Sequence, residues 1–377
     1  MSPTSVLLTI RTNSVLKTGA QWLEKKAKRM MIGALERVLP VPESLAADQL
    51  ASIQRILIIR PNFRIGNALI STPIIESLQR HFPGASIDML ATDKTAVLFE
   101  NFGLGQVHCA SRHAITRPWQ AVNLIRSLRR ERYDLALQLN TGSLSGLLVG
   151  KTIGARHTMA LPYKGRTWFD VAIAPGPGNL HSYQVPALFA TALGVSCRER
   201  PVLRLSEEEV CQAQRLLASQ LGLESEGALE SGEGGAKNFV ALFVGGHLDK
   251  RCPPAYWEAL IARLEAGGKP YVVFLGPEEF RLAPRLGALM QDSRHGLLLT
   301  PRPLREFAAL LSQAAILITP DSGPMHMAVA LDVPTITLSR TRRSQRFLPQ
   351  GALHRIITTL APEDVMAMLQ ARPAALA

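Results

Sequence analysis

The chain has 377 residues, of which 47% are hydrophobic and 19% charged, and its formal net charge is +12 at pH 7. This length exceeds what one hydrophobic core usually serves, and the composition excludes a disordered, collagen-like or disulfide-built protein. The cysteines lie far apart, so the sequence contains no CxxC pair of a zinc or thiol-redox site. The basic charge either favours an anionic partner (phosphate, nucleic acid or a membrane surface) or forms a solvated face.

The N-terminal segment differs from the rest of the chain. Apolar residues recur at three- and four-residue steps from Leu16 to Val38, lysines and arginines fill the positions between them, and Pro40 follows. This pattern predicts a basic amphipathic helix, which either lies on an anionic leaflet with Trp22 near the headgroups or packs on its own protein. No apolar run reaches the roughly 18–20 residues that span a bilayer, and a signal peptide is not apparent. We therefore expect a cytoplasmic protein. If the N-terminal helix lies on an anionic leaflet, the protein is peripheral on the inner face of the cytoplasmic membrane.

Strands and helices alternate in the first half of the chain. The run Arg55–Arg60 is short, apolar and rich in β-branched residues, and the turn-like Pro61-Asn62 ends it. A helix is predicted over 67–81. The next predicted elements are a strand at 86–90, a helix at 95–101, a weak strand near 107, a helix at 119–131 and a strand at 135–139. This alternation predicts a parallel, doubly wound sheet covered on both faces.

The second half repeats the rhythm. Helices are predicted at 207–220, 254–266, 279–290, 304–314, 325–330 and 362–370, and strands at 239–244, 271–275, 315–319 and 335–338. Residues 222–237 are rich in Gly, Glu and Ser and predict a flexible surface loop. The predicted architecture is two Rossmann-like domains facing a central cleft. Its units are an N-terminal extension (1–50), an acceptor-side domain (51–190), a nucleotide-sugar-binding domain (191–350) and a C-terminal helix and tail (351–377).

Three loops of the second half follow predicted strands, where ligands of parallel sheets bind. In the first, Gly246 lets the backbone approach a ligand, while Lys250 and Arg251 supply cations suited to a diphosphate. An ordinary exposed turn is the alternative. In the second loop, Glu278 either accepts hydrogen bonds from ribose hydroxyls or favours the dipole of a starting helix.

The third loop, Thr319 to His326, reads TPDSGPMH and connects a strand to a helix. Asp321 or Ser322 can cap that helix, and Gly323 allows a tight turn. The exposed N–H groups at such a helix start form an anion site. His326 is expected one turn into the helix, near that site, although a lone histidine there is more often structural.

These strings resemble glycosyltransferase family 9, the lipopolysaccharide heptosyltransferases and their relatives. DSGPMH with the following MAVALDVPTITL is similar to the family signature. The family's N-terminal start is similar to the string RILIIRPNFRIGNALISTPIIESLQRHFPGASIDML. The family's phosphate-binding loop resembles the string GHLDKRCPPAYW. The likeness covers roughly residues 53–345. It implies the two-domain GT-B fold and an inverting transfer of a heptose or other sugar from a nucleotide sugar, with ADP-heptose as the expected donor, and with no cofactor or tightly bound metal.

The resemblance also implies residue roles. Lys250 would pair with the donor diphosphate, Glu278 would bind the ribose, and Asp321 would position the donor sugar or cap the site. Ser322 and Gly323 would offer backbone donors to phosphate. Gly246, Arg251 and His326 complete the nucleotide-sugar-binding set.

One position departs from the family. Where relatives carry Gly-Asp, with the aspartate as base for the acceptor hydroxyl, this chain has Gly66-Asn67. An amide cannot take that proton at neutral pH. Asn67 is therefore expected to position the acceptor, with Asp93 or the donor phosphate as base. A second hypothesis is a catalytically weak or inactive nucleotide-binding relative with a regulatory or structural role.

The expected acceptor is a lipopolysaccharide core or similar lipid-linked anionic glycan, since basic residues surround the acceptor loops. These are Arg60, Arg64 and Lys94, joined by Lys151, Arg156, Lys164 and Arg166. A nicotinamide-dependent oxidoreductase is disfavoured because only Gly66 stands where GxGxxG is needed. A nucleic-acid partner is not expected, since helix-turn-helix, zinc and aromatic-platform signals are missing.

Overall fold

A computed structural model describes residues 26, 30, 50, 52–111, 117–139, 144–162, 168–174, 176–178, 180–221 and 239–371. The predicted N-terminal amphipathic helix falls outside these residues except for Lys26 and Met30, which are helical. The predicted loop at 222–237 lies outside them as well. Within the described part of the chain, no helix is long and apolar enough to cross a membrane.

The described strands form two six-stranded sheets in which all neighbouring strands are parallel. The first contains β1 (Arg55–Ile59), β2 (Ser86–Thr92), β3 (Val107–Ala110), β4 (Leu135–Gln138), β5 (His157–Ala160) and β6 (Val171–Ala172). The second contains β7 (Phe239–Phe243), β8 (Tyr271–Phe274), β9 (Gly296–Leu299), β10 (Ala314–Pro320), β11 (Thr335–Leu338) and β12 (His354–Ile357). Their orders, β3-β2-β1-β4-β5-β6 and β9-β8-β7-β10-β11-β12, are equivalent. The prediction of two doubly wound parallel sheets is confirmed.

Helices connect the strands of both sheets. In the first half they are α1 (Ile65–Ile70), α2 (Pro73–His81), α3 (Pro118–Arg130), α4 (Leu144–Thr152) and α5 (Val185–Ala192). In the second half they are α6 (Glu207–Leu221), α7 (Pro254–Ala266), α8 (Ala283–Leu289), α9 (Leu304–Ser312), α10 (Gly323–Ala330) and α11 (Pro362–Gln370). The predicted domain boundaries stay a prediction; β12, of the second sheet, lies beyond residue 350.

The prediction of one continuous helix over 67–81 is wrong. The chain forms α1 and α2 with a break at Ser71 and Thr72, whose hydroxyls donate to Ala68 O (2.6 Å) and Leu69 O (2.8 Å). Pro73 opens α2, because proline has no N–H to donate and favours a first helical turn. The break leaves α1 as a separate short helix at the carboxyl end of β1.

Two other predicted helices also differ. The one at 95–101 is a single 3₁₀ turn, Ala96–Phe99, and the one at 279–290 is the 3₁₀ turn Phe280–Leu282 followed by α8.

The two sheets share a continuous apolar core. One cluster of buried side chains includes Ile56 and Ile58 of β1 together with Ala241 of β7 and Leu317 of β10. Helix α1 of the first half packs on α10 of the second, while α2 packs on α5 and α6 on α9 within their own halves. The contact between α1 and α10 brings the first loop of one half against the third predicted ligand loop of the other.

Candidate active site

The candidate site lies where the carboxyl ends of both sheets meet. In each sheet the strand order reverses at the central pair, β1 with β4 and β7 with β10, and ligands of such sheets bind at this crevice. The segments that follow β1, β7 and β10 carry Asn67, in α1, Lys250 and Asp321 respectively. The fold therefore collects the predicted residues of both halves at one cleft.

Lys250 and Asp321 form an ion pair at the start of α10. The Lys250 Nζ lies 2.5 Å from Asp321 Oδ2, although 71 residues separate them, because β7 and β10 are neighbours. The Asp321 side chain is 5% exposed and that of Lys250 28%. A partly exposed ammonium beside a helix N-terminus is a suitable partner for a diphosphate.

The predicted side-chain cap of α10 is not formed. Ser322 occupies the N-cap position in an extended conformation without a side-chain cap hydrogen bond. Its hydroxyl lies 3.0 Å from Thr319 Oγ1, and Asp321 pairs with Lys250 instead. Since neither side chain caps the helix, its first N–H groups keep the positive end of the helix dipole directed at the cleft.

Arg251 ties two donor-side loops together. Its Nη2 lies 2.9 Å from both Glu278 Oε2 and Glu279 Oε1, and its Nε donates to Gly246 O at 2.5 Å. Glu278 is 75% exposed, whereas Glu279 is 7% exposed, and burial raises the pKa of the Glu279 carboxyl. Two carboxylates thus neutralise Arg251 and brace the loop that presents Lys250.

Glu279 was not predicted, and the sequence does not show which of the two adjacent acids turns inward. A side-chain carbon on Gly245 or Gly276 would lie 2.7 or 2.5 Å from Glu279 Oε2, so both glycines are needed for the close approach of these loops. The predicted contact of Glu278 with ribose stays a prediction.

His326 lies in the contact between the halves. Its Nδ1 is 2.8 Å from the Tyr183 hydroxyl, and only 5% of the residue is exposed. Burial lowers the pKa of the imidazole, which is therefore neutral at neutral pH. A side-chain carbon on Gly66 would lie 2.2 Å from His326 Cδ2. This position favours a structural role for His326, and its predicted contact with the nucleotide sugar stays a prediction. Tyr183 was not predicted, because no local pattern in the sequence marks it.

On the acceptor side, Asn67 lines a cavity of about 220 Å³ together with Arg60 and Asn62. The Arg60 guanidinium donates from Nε to Asn67 O (3.1 Å) and from Nη1 to Leu139 O (2.6 Å), which fixes the backbone at Asn67. Asp93, one of the two predicted bases, is not among the described residues that line the cavity.

The described residues contain no group of three or more His, Cys, Asp or Glu side chains placed to hold a metal ion.

Comparison with known proteins agrees with this geometry. The family model for glycosyltransferase family 9 (heptosyltransferase) matches residues 121–367. A lipopolysaccharide heptosyltransferase 3 of Escherichia coli is 26% identical over 286 residues, covering 72% of this chain and 80% of the relative.

Solved structures share the fold. The E. coli ADP-heptose lps heptosyltransferase II has a TM-score of 0.66 at 22% identity, covering 84% of this chain and 98% of that one. The E. coli heptosyltransferase WaaC with ADP-2-deoxy-2-fluoro heptose has a TM-score of 0.63 at 19% identity, covering 84% and 99%. A family 9 glycosyltransferase from Veillonella parvula DSM 2008 has a TM-score of 0.67 at 19% identity, covering 84% and 89%. The two parallel-sheet domains are those of the GT-B fold, and the chain belongs to glycosyltransferase family 9 and is a heptosyltransferase-like glycosyltransferase.

Proposed function

We propose that the protein transfers a heptose or a related sugar, with inversion, from ADP-heptose to a hydroxyl of a lipopolysaccharide core or related lipid-linked anionic glycan. The observation that carries this proposal is the Lys250–Asp321 pair at the uncapped start of α10, the helix that packs on α1 with its Asn67. The names of the relatives support the donor and acceptor classes, since they include heptosyltransferases of lipopolysaccharide and a complex with an ADP-heptose analogue.

In the proposed reaction, the acceptor oxygen attacks the anomeric carbon from the face opposite the nucleotide. The new C–O bond forms as the bond to the diphosphate breaks, and the electron pair leaves with the ADP. Lys250 and the N–H groups that begin α10 stabilise the developing charge on the diphosphate, so the cation at the leaving group is the Lys250 ammonium of the protein itself. The proton of the hydroxyl passes to a base, for which Asp93 and the donor phosphate are the two candidates.

The donor class is tested by thermal unfolding of the full chain with ADP, UDP and GDP. We expect ADP alone to raise the melting temperature, because a ligand at 100 times its Kd stabilises by about 2.7 kcal/mol. A response to UDP or GDP instead of ADP would contradict ADP-heptose as donor. Binding of ADP-heptose with neither transfer nor hydrolysis would indicate the non-catalytic relative.

Replacement of Asn67 by alanine should lower kcat/KM for the acceptor, since the side chain lines the cavity where the hydroxyl is held. We expect a loss of about 10-fold to 100-fold, in the range of one hydrogen bond that orients a reacting group. Asn67→Asp, which keeps the size and restores the family's Gly-Asp, serves as the conservative variant and should retain turnover. Unchanged turnover of Asn67→Ala would eliminate the positioning role.

We also propose peripheral contact of the basic N-terminal segment with the inner face of the cytoplasmic membrane. Its charge and apolar face suit anionic lipid. Removal of residues 1–40 should reduce co-sedimentation with phosphatidylglycerol vesicles while binding of ADP is kept. Equal sedimentation of the full and shortened chains would refute the contact.

A further inference from the structure

The cavity beside Asn67 has a lining that the transfer reaction does not explain. Its polar lining consists of Arg60, Asn62, Asn67, Ser182 and Arg346. No Asp or Glu is among the described residues that line it. Its volume of about 220 Å³ exceeds the share of one water, about 30 Å³, so it admits a chemical group of several heavy atoms.

Arg346 reaches this cavity from the other half of the chain. It lies in the 3₁₀ turn Arg342–Phe347, which follows β11 of the second sheet. The turn is held against the first half: Leu348 O lies 2.8 Å from His181 Nε2, and Arg346 Nε donates to Ser182 Oγ at 3.4 Å. Arg346 is exposed, and no carboxylate of the described residues pairs with it.

Arg60 supplies the second guanidinium. Its bonds to Asn67 O and Leu139 O hold the group in place at the ends of β1 and β4. Burial lowers the pKa of Arg60 to about 10, so it still carries its charge at neutral pH. Two guanidinium groups in one concave space create a positive potential, and planar guanidinium suits phosphate and carboxylate oxygens.

We propose that this cavity binds an anionic substituent of the acceptor, a phosphate or a carboxylate on the sugar that carries the attacking hydroxyl, with Arg346 and Arg60 as its cationic ligands. The inference rests on the proposed function, in which Asn67 positions that hydroxyl. Arg346 then determines which acceptors are used, and its contribution from the donor-binding half makes the bound anion a bridge between the two halves.

The test uses glucose 6-phosphate, glucuronate and glucose as probes, titrated into the full chain by calorimetry. ADP is kept saturating so that the diphosphate site at Lys250 is occupied, and the titration is repeated in Lys250→Ala. Glucose 6-phosphate should bind at least tenfold more tightly than glucose, and Arg346→Gln should remove most of that difference, as expected for hydrogen bonds to a charged group. Arg346→Lys should keep part of it.

The matched control is Arg294→Gln, an exposed arginine in the turn that precedes β9, at the opposite edge of the second sheet. It should leave all three titrations unchanged. Glucuronate that binds as well as glucose 6-phosphate supports a general anion site, and selective binding of glucose 6-phosphate supports a phosphate site. Equal binding of glucose and glucose 6-phosphate, or an Arg346→Gln variant that binds like the wild type, overturns the proposal.

Titration of ADP alone separates this inference from the proposed function. Arg346→Gln should bind ADP as the wild type does, which also shows that the variant is folded. If the wild type failed to bind ADP while the binding of glucose 6-phosphate still depended on Arg346, the proposed donor would be wrong and the proposed anion site would still be supported.

Discussion

Lys250→Ala should reduce kcat for sugar transfer by about 10²–10³-fold, the usual cost of removing one group that stabilises charge at a reacting centre. The Lys250 ammonium lies at the start of α10 and pairs with one carboxylate, that of Asp321. Arg251, the other cation of this loop, pairs with two carboxylates, so more of the charge of Lys250 is left for the diphosphate. The loss should fall on kcat more than on KM, because the diphosphate gains negative charge as the bond breaks. Rates are measured with EDTA present, so that adventitious metal does not replace the lysine.

Stability must be separated from catalysis in this experiment, because Lys250→Ala leaves the buried Asp321 carboxylate without its partner. The double variant Lys250→Ala/Asp321→Asn removes that unpaired charge and should recover most of the lost melting temperature. Its turnover should stay low. Lys269→Ala, in the turn before β8 and therefore at the amino-terminal end of the strands, is the matched control and should keep full activity. Full recovery of kcat in the double variant would show that the lysine acts only on stability.

Gly66→Ala should impair both stability and turnover. The added methyl would lie 2.2 Å from His326 Cδ2 and 2.9 Å from Nε2, well inside contact distance. Overpacking of this kind costs about 1–3 kcal/mol in unfolding free energy. Relief requires a shift of the His326 imidazole or of α1 away from α10. A shift of α1 would carry Asn67 away from the donor loops, and a displacement near 1 Å can cost about 10²-fold in rate.

A double-mutant cycle identifies the cause. In Gly66→Ala/His326→Ala the imidazole is gone, so Gly66→Ala should cost less stability in the His326→Ala background than in the wild type. Gly84→Ala is the matched control, since a side-chain carbon there meets nothing within 4 Å, and it should be close to neutral. Additive losses in the cycle would show that the imidazole is not what excludes the methyl group.

The architecture was predictable because its signals are local. Each central strand is a short apolar run, as at Arg55–Ile59 and Phe239–Phe243, and each lies between helical patterns. The prediction missed elements with weak local signals: β6 has two residues, and α4 (LSGLLVGKT) is apolar on most sides and so has no amphipathic pattern. The break between α1 and α2 was marked by Pro73, but the apolar spacing on both sides concealed it.

For the site, the sequence predicted the residues that follow strand ends, and the fold brings Lys250 and Asp321 into contact. It missed partners that only tertiary structure supplies. Tyr183 lies 143 residues from His326, and Arg346 lies 164 residues from Ser182, yet both pairs are hydrogen-bonded. Neither the tyrosine nor the arginine stands in a motif, so no pattern of spacing distinguishes them from other polar residues on loops.

The apolar cluster that joins β1 with β7 and β10 has a consequence for how the protein can be divided. Domains that meet through a wet, polar surface can be produced separately, but a half cut from this chain would expose part of its own interior. The connection between α5 and α6 is therefore a poor place to separate the two halves into independent fragments. Any opening of the cleft has to be a small adjustment around the packed α1–α10 contact rather than a wide swing of independent bodies.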